Sequence, residues 1–216
     1  MINSISVNSH HFANVSQFCK NLFNSSSGLA EKIQQIAYPY FTAGSGVYYC
    51  GSGGKEIYSA TVGYAVEKRD VFSPSRLFQG IQGFFITATG VCGVAEAFNS
   101  FDLINYGGFT NSVYAAGNIF FLCANLVALE DAVRVYEEIQ KAEGEGREIA
   151  EFQKQSNLLG IISNLGYIMA TALILFGGST AMALVLGIIG SFSGAMKILY
   201  DYLPEVEKII GKLSRS

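Results

Sequence analysis

Asn157–Met196 reads NLLGIISNLGYIMATALILFGGSTAMALVLGIIGSFSGAM, forty residues without an Asp, Glu, Lys or Arg, bounded by Lys154 and Lys197. Phe176-Gly177-Gly178-Ser179-Thr180 divides it into Leu158–Phe176 and Ala181–Leu199, nineteen residues each. A helix of that length measures roughly 28 Å, close to the ~30 Å hydrocarbon core of a bilayer. The first half carries ten Leu, Ile or Phe residues, worth roughly −3 to −6 kcal/mol on an insertion scale before the cost of Ser163, Asn164 and Thr171. Ser179, Ala183, Gly187, Gly190 and Gly194 form a ridge of small residues, which in lipid lets helix backbones approach closely. In a soluble helical hairpin each glycine would instead cost about 1 kcal/mol against alanine. The stretch is expected to be a transmembrane hairpin.

The composition agrees. Of 216 residues, 50% are hydrophobic and 14% charged, against about a quarter charged in soluble domains. A net charge of −3 without a run of Lys and Arg argues against a nucleic-acid partner. Cys19, Cys50, Cys92 and Cys123 lie far apart with no C-x-x-C pair, so neither a disulfide framework nor a metal site is indicated, and no cofactor is expected. Trp is absent, which leaves interfacial anchoring to Tyr and Phe.

Residues 1–30 hold seven Ser and five Asn but a single Lys, and lack the basic start and apolar core of a secretory signal. They read as a disordered polar tail or as an export signal of another type. Residues 31–76 are rich in Tyr and Gly. Their glycines lack the preceding strand and the G-K-[ST] of a nucleotide-binding loop, so the segment is expected to be a flexible or interfacial connector. Leu77–Ala95 and Leu103–Leu129 are uncharged runs of nineteen and twenty-seven residues, giving a first transmembrane hairpin over 77–129. Four spans result, or two if this pair lies at the interface.

Residues 130–156 are abruptly charged. Leu129, Ala132, Tyr136 and Ile139 recur at helical steps, so the second span should continue to about Ala142, where Glu143-Gly144-Glu145-Gly146 should stop it. A return helix bearing Ile149 and Phe152 would complete a short cytosolic helical hairpin. Tyr136, Ile139, Ile149 and Phe152 are its candidate partner surface; the alternative is a solvated connector. The second hairpin covers 157–199, and Asp201-Tyr202-Leu203-Pro204 is expected to start an amphipathic tail over 200–216. With four spans all fourteen Lys and Arg fall on one side, which the positive-inside rule assigns to a cytosol together with both termini.

In the first hairpin Gln82, Thr89 and Glu96 recur every seven residues, as do Asn111, Asn118 and Asn125. Each set lies along one stripe of its helix. Antiparallel packing can set Glu96 opposite Asn111, Thr89 opposite Asn118 and Gln82 opposite Asn125. Burying the two stripes against each other as an interhelical polar seam avoids exposing polar groups to hydrocarbon; the competing reading is a proton or ion path through Glu96.

His10 and His11, both in the tail, are the only histidines. No Ser-His-Asp or Cys-His set can be placed on ordered elements, and an enzyme is not expected. The fold class expected is all-α, an integral membrane protein of two transmembrane helical hairpins. It would act by protein–protein interaction, with a small bacterial envelope channel or transporter as the alternative.

The Ser/Asn-rich start, the two apolar lobes divided at Phe176–Thr180 and the basic flanks on one side resemble the layout of the inclusion membrane proteins of chlamydiae. The resemblance covers the whole chain but no residue motif, and this sequence differs from the commonest form in its second, less apolar hairpin. It implies secretion by a type III apparatus, insertion into the membrane of the pathogen-containing vacuole, and cytosolic segments that engage host proteins or other copies of the chain.

Overall fold

The computed structural model describes Asn14 and residues 30–62, 75–141 and 147–213, with side chains described for Asn14 and over 38–62, 75–141 and 153–202. Among the described residues five long helices follow one another: α1 (Ala30–Thr61), α2 (Arg76–Ser100), α3 (Thr110–Gln140), α4 (Arg147–Leu175) and α5 (Thr180–Leu213). Among the described residues there is no strand. Each helix packs on the next in sequence, so the order is antiparallel throughout. Four apolar helices, Arg76–Ser100, Gly107–Gln140, Gln153–Leu175 and Thr180–Tyr202, are long and apolar enough to cross a membrane. This is an all-α, multi-pass membrane protein.

The turns follow from local chemistry. After Leu175, Gly177 takes φ +70°, a left-handed conformation open to glycine without steric cost, and the Gly178 N–H closes back on the Leu173 carbonyl at 2.6 Å. Between α2 and α3 the Asn99 side chain accepts the Tyr106 N–H at 3.1 Å. A short 3-10 turn, Gly107–Phe109, then leads into α3. Ser75 caps α2 by accepting the Phe78 N–H at 3.3 Å.

Two buried clusters join the helices. Tyr49 of α1, Ile86 of α2 and Ala124 of α3 form one, with Phe85 against it. Phe121 of α3 and Tyr167 of α4, edge to face at 6.1 Å, form the other with Leu184 of α5. The outer faces are apolar. Leu77, Phe84, Val91 and Phe98 succeed each other at seven-residue steps on α2, and Val185, Ile188, Phe192 and Leu199 line the outside of α5. On a soluble bundle such faces would demand a partner; against lipid they are the expected surface.

Three segments differ from the reading of the sequence. The Tyr/Gly-rich stretch 31–76, expected to be a connector, is helical from Ala30 to Thr61, because its small residues form a contact surface for α2. The C-terminal segment does not begin a new helix at residue 200: α5 runs on through Pro204 to Leu213. Of the polar tail, Asn14 is fully buried and donates to the Asn125 side chain at 3.0 Å; its other residues, Ala30 apart, lie outside the described set. Gln140 ends α3 and Arg147 begins α4, and the stop expected at Glu143–Gly146 lies outside the described residues.

Candidate functional site

The helices α1 and α2 pack backbone to backbone. Gly46, Gly53 and Ala60 on α1, and Gly83, Gly90 and Ala97 on α2, repeat every seven residues. A Cβ on Gly53 would lie 2.5 Å from the Gly83 carbonyl oxygen, and one on Gly90 would lie 2.7 Å from that of Gly46. Backbone therefore meets backbone along both helices, a geometry open only to residues without side chains at the crossing. The contact extends to both ends of α2. Arg76 donates to the carbonyls of Ala60 and Thr61 at one end, and Tyr40 stands edge-on to Phe101, centroids 5.1 Å apart, at the other. Gln79 donates to Glu56 at 2.7 Å, and Cys50 sits beside the Thr87 carbonyl.

The heptad polar positions of the first hairpin divide. Thr89, Glu96, Asn118 and Asn125 are buried, Gln82 is half-buried and Asn111 is exposed. Cys92 lies over Gly117, Phe85 stacks on Phe120 at 6.4 Å, and Ser75 donates its N–H to Asp131 at 3.0 Å; these contacts set the antiparallel register of α2 and α3 within a few residues of the one that opposes the two stripes. Inside it the side chains bond elsewhere. Thr89 donates to the Phe85 carbonyl at 2.9 Å, Asn118 to that of Tyr114 at 3.1 Å and Asn125 to that of Phe121 at 2.9 Å. Glu96 is not matched with Asn111, which sits in the exposed first turn of α3; it accepts from the Tyr38 hydroxyl of α1. Glu96 thus ties α2 to α1, and Asn125 ties α3 to Asn14.

On the second hairpin, Ala183, Gly187, Gly190 and Gly194 are buried and Ser179 is exposed at the turn. A Cβ on Gly166 would meet the Gly190 Cα at 2.9 Å. Ser163 donates to the Gly190 carbonyl at 2.8 Å, and the Tyr167 and Ser191 hydroxyls lie 2.8 Å apart.

Beyond the apolar runs, at the end of the bundle where α3 and α5 leave it, the helices stay tied. Asn157 donates to the Ala132 carbonyl at 2.6 Å, Tyr200 to Gln155 at 2.7 Å, and Lys197 to Asp201 at 2.7 Å and to Ser156 at 3.1 Å. Of the expected partner surface, Ile139 is 4% exposed and therefore inside the fold. Tyr136 is half-buried, with the Lys154 ammonium 5.9 Å from its ring centroid. The Ile149 and Phe152 side chains lie outside the described set. The face of α3 that is open carries Glu130, Val133, Glu137, Gln140 and Lys141. The apolar periodicity had marked the inner face of this helix; the charged positions Glu130, Glu137 and Lys141, seven and four residues apart, mark the outer one.

No group of three or more His, Cys, Asp or Glu among the described residues is placed to hold a metal ion. Comparison with protein-family models, with curated proteins and with solved structures returns no match to this chain.

Proposed function

We propose that the protein works by presenting helical surfaces to other proteins from a bundle held in the membrane, not by catalysis or transport. The observation that carries this reading is the difference between the two ends of the bundle. At one end the described residues are the first turns of α1 and the short turns 101–109 and 176–179. At the other, α3 and α5 run past their apolar stretches to Gln140 and Leu213, and α3, α4 and α5 are cross-tied by Asn157, Tyr200 and Lys197. An ordered, charged helical platform suits recognition of a protein. Its acidic outer face at Glu130 and Glu137 suits a partner with basic side chains.

Four buried polar side chains support a structural interior: Thr89, Asn118, Asn125 and Ser163 each donate to a backbone carbonyl. The layout that resembles the inclusion membrane proteins of chlamydiae extends the proposal. On that reading the chain is delivered by a type III apparatus, sits in the vacuole membrane with its platform in the host cytosol, and meets host proteins or other copies of itself. A tagged copy followed during infection should decorate the vacuole membrane; a signal confined to the bacterial envelope removes this location. The purified protein in liposomes should pass no ion or solute above empty vesicles. Selective flux abolished by Glu96→Gln would replace the contact reading with a proton or ion path.

A further inference from the structure

We propose that α1 crosses the bilayer as a fifth membrane helix, placing its first turns on the same side as the loops 101–109 and 176–179. The inference rests on the reading of α2 as a span, and adds to it a helix whose composition conceals the crossing. If α2 crosses, α1 crosses beside it, because the two are in contact from Arg76 and Ala60 at one end to Phe101 and Tyr40 at the other. No room is left for lipid headgroups between them: Gly46 and Gly53 lie directly on the α2 backbone.

The α1 sequence fits that depth. Lys32 and Lys55 bracket an uncharged stretch, Ile33–Gly54, of 22 residues, which as helix measures about 33 Å. Among its described residues Thr42, Ser45 and Ser52 are buried, as is Glu56 just beyond the stretch. The outward positions are Tyr40, Gly44, Val47, Tyr48, Gly51, Gly54 and Tyr58, none of them charged. Tyr40 and Tyr58, 69% and 59% exposed, stand about 27 Å apart along the helix axis, the spacing at which tyrosines meet the two interfaces of a bilayer. Tyr48, half-way between, lies beside Tyr49 with ring centroids 6.3 Å apart.

Hydropathy misses the helix for a physical reason. A sliding window treats every side chain as if it met lipid, whereas Gly46 and Gly53 lie on the α2 backbone and Thr42, Ser45 and Ser52 are buried inside the bundle. A helix of this kind is carried into the membrane by its neighbour, through close packing and not through its own transfer free energy. The crossing also changes the topology. Lys32 moves to the side of the short loops, while Lys55 and the basic residues that follow it stay opposite.

The test is cysteine labelling in the full-length chain with its four native cysteines replaced by alanine, in sealed membranes of both orientations and with an impermeant maleimide. Single cysteines are placed by Gln35→Cys, and independently Lys32→Cys, in the first turns of α1; by Asn105→Cys and Ser179→Cys in the loops; by Gln140→Cys at the end of α3; and by Val47→Cys on the outer face of α1. The expected result is that Gln35→Cys and Lys32→Cys react from the same face as Asn105→Cys and Ser179→Cys, and Gln140→Cys from the other. Val47→Cys should react at least about tenfold more slowly from either face, since a thiolate is disfavoured in hydrocarbon. If Gln35→Cys and Lys32→Cys react from the face of Gln140→Cys while the loops react from the opposite one, the four spans stand and the fifth is overturned. If the loops and Gln140→Cys all react from one face, the span reading of α2 fails and takes the fifth crossing with it.

Discussion

Gly90 of α2 lies against Gly46 of α1 so closely that a Cβ on Gly90 would sit 2.7 Å from the Gly46 carbonyl oxygen. Neither backbone can give way alone, because the same contact recurs one heptad along at Gly53 and Gly83. Gly90→Val and Gly53→Val should each destabilise the protein by about 1–3 kcal/mol, the usual cost of overpacking, and lower its thermal midpoint in detergent. Gly51→Val, in open space on the outer face of α1, is the control and should leave the midpoint unchanged or slightly raised.

Tyr38 and Glu96 bind the same two helices by a side-chain contact. Tyr38→Phe removes one donor from a buried carboxyl and should cost about 0.6–2 kcal/mol, between a typical membrane hydrogen bond and an orphaned polar group in a soluble core. Thermal unfolding in detergent reads the loss. A variant as stable as the parent would show that the bond contributes nothing to the α1–α2 contact.

Asp131 accepts from the Ser75 N–H at 3.0 Å and from Arg134 at 2.8 Å, tying the start of α2 to α3. Asp131→Ala leaves that N–H without its acceptor and should cost about 1–3 kcal/mol. Hydrogen exchange should show the change first in Ser75–Gln79. Uniform acceleration over all helices would instead mean that the site supports the whole fold.

The Lys197 and Asp201 side chains, 12% and 19% exposed and 2.7 Å apart, are coupled through Ser156. Lys197→Met alone should cost about 1–2 kcal/mol, more than an exposed ion pair and less than a fully buried one. Combined with Asp201→Leu it should recover part of the loss, because the second substitution removes the charge left behind. Strict additivity in this double-mutant cycle would contradict the coupling.

Much of the bundle was legible in the sequence, for identifiable reasons. The runs that became α4 and α5 are long, uncharged and broken at Phe176–Thr180, where Gly177 does adopt a positive φ. Charge return at Glu130 marks where α3 leaves its apolar stretch. The α1 helix was not legible by the same signals. Its glycines and tyrosines read as loop punctuation one residue at a time, and only the seven-residue spacing of Gly46, Gly53 and Ala60 against Gly83, Gly90 and Ala97 reveals a contact face. Pro204 misled in the opposite sense, since a proline that commonly opens a helix here lies inside one. On the partner surface, the apolar periodicity of Tyr136 and Ile139 is that of a helix packing inward, and Ile139 is accordingly buried.

The most direct measurement is alkaline extraction of membranes from cells that express the full-length chain. A bundle whose outer faces carry Leu77, Phe84, Val91 and Phe98 on α2, and Val185, Ile188, Phe192 and Leu199 on α5, should stay in the membrane pellet after a carbonate wash and leave it only in detergent. Recovery in the supernatant as a monodisperse, detergent-free protein would contradict a membrane-spanning fold.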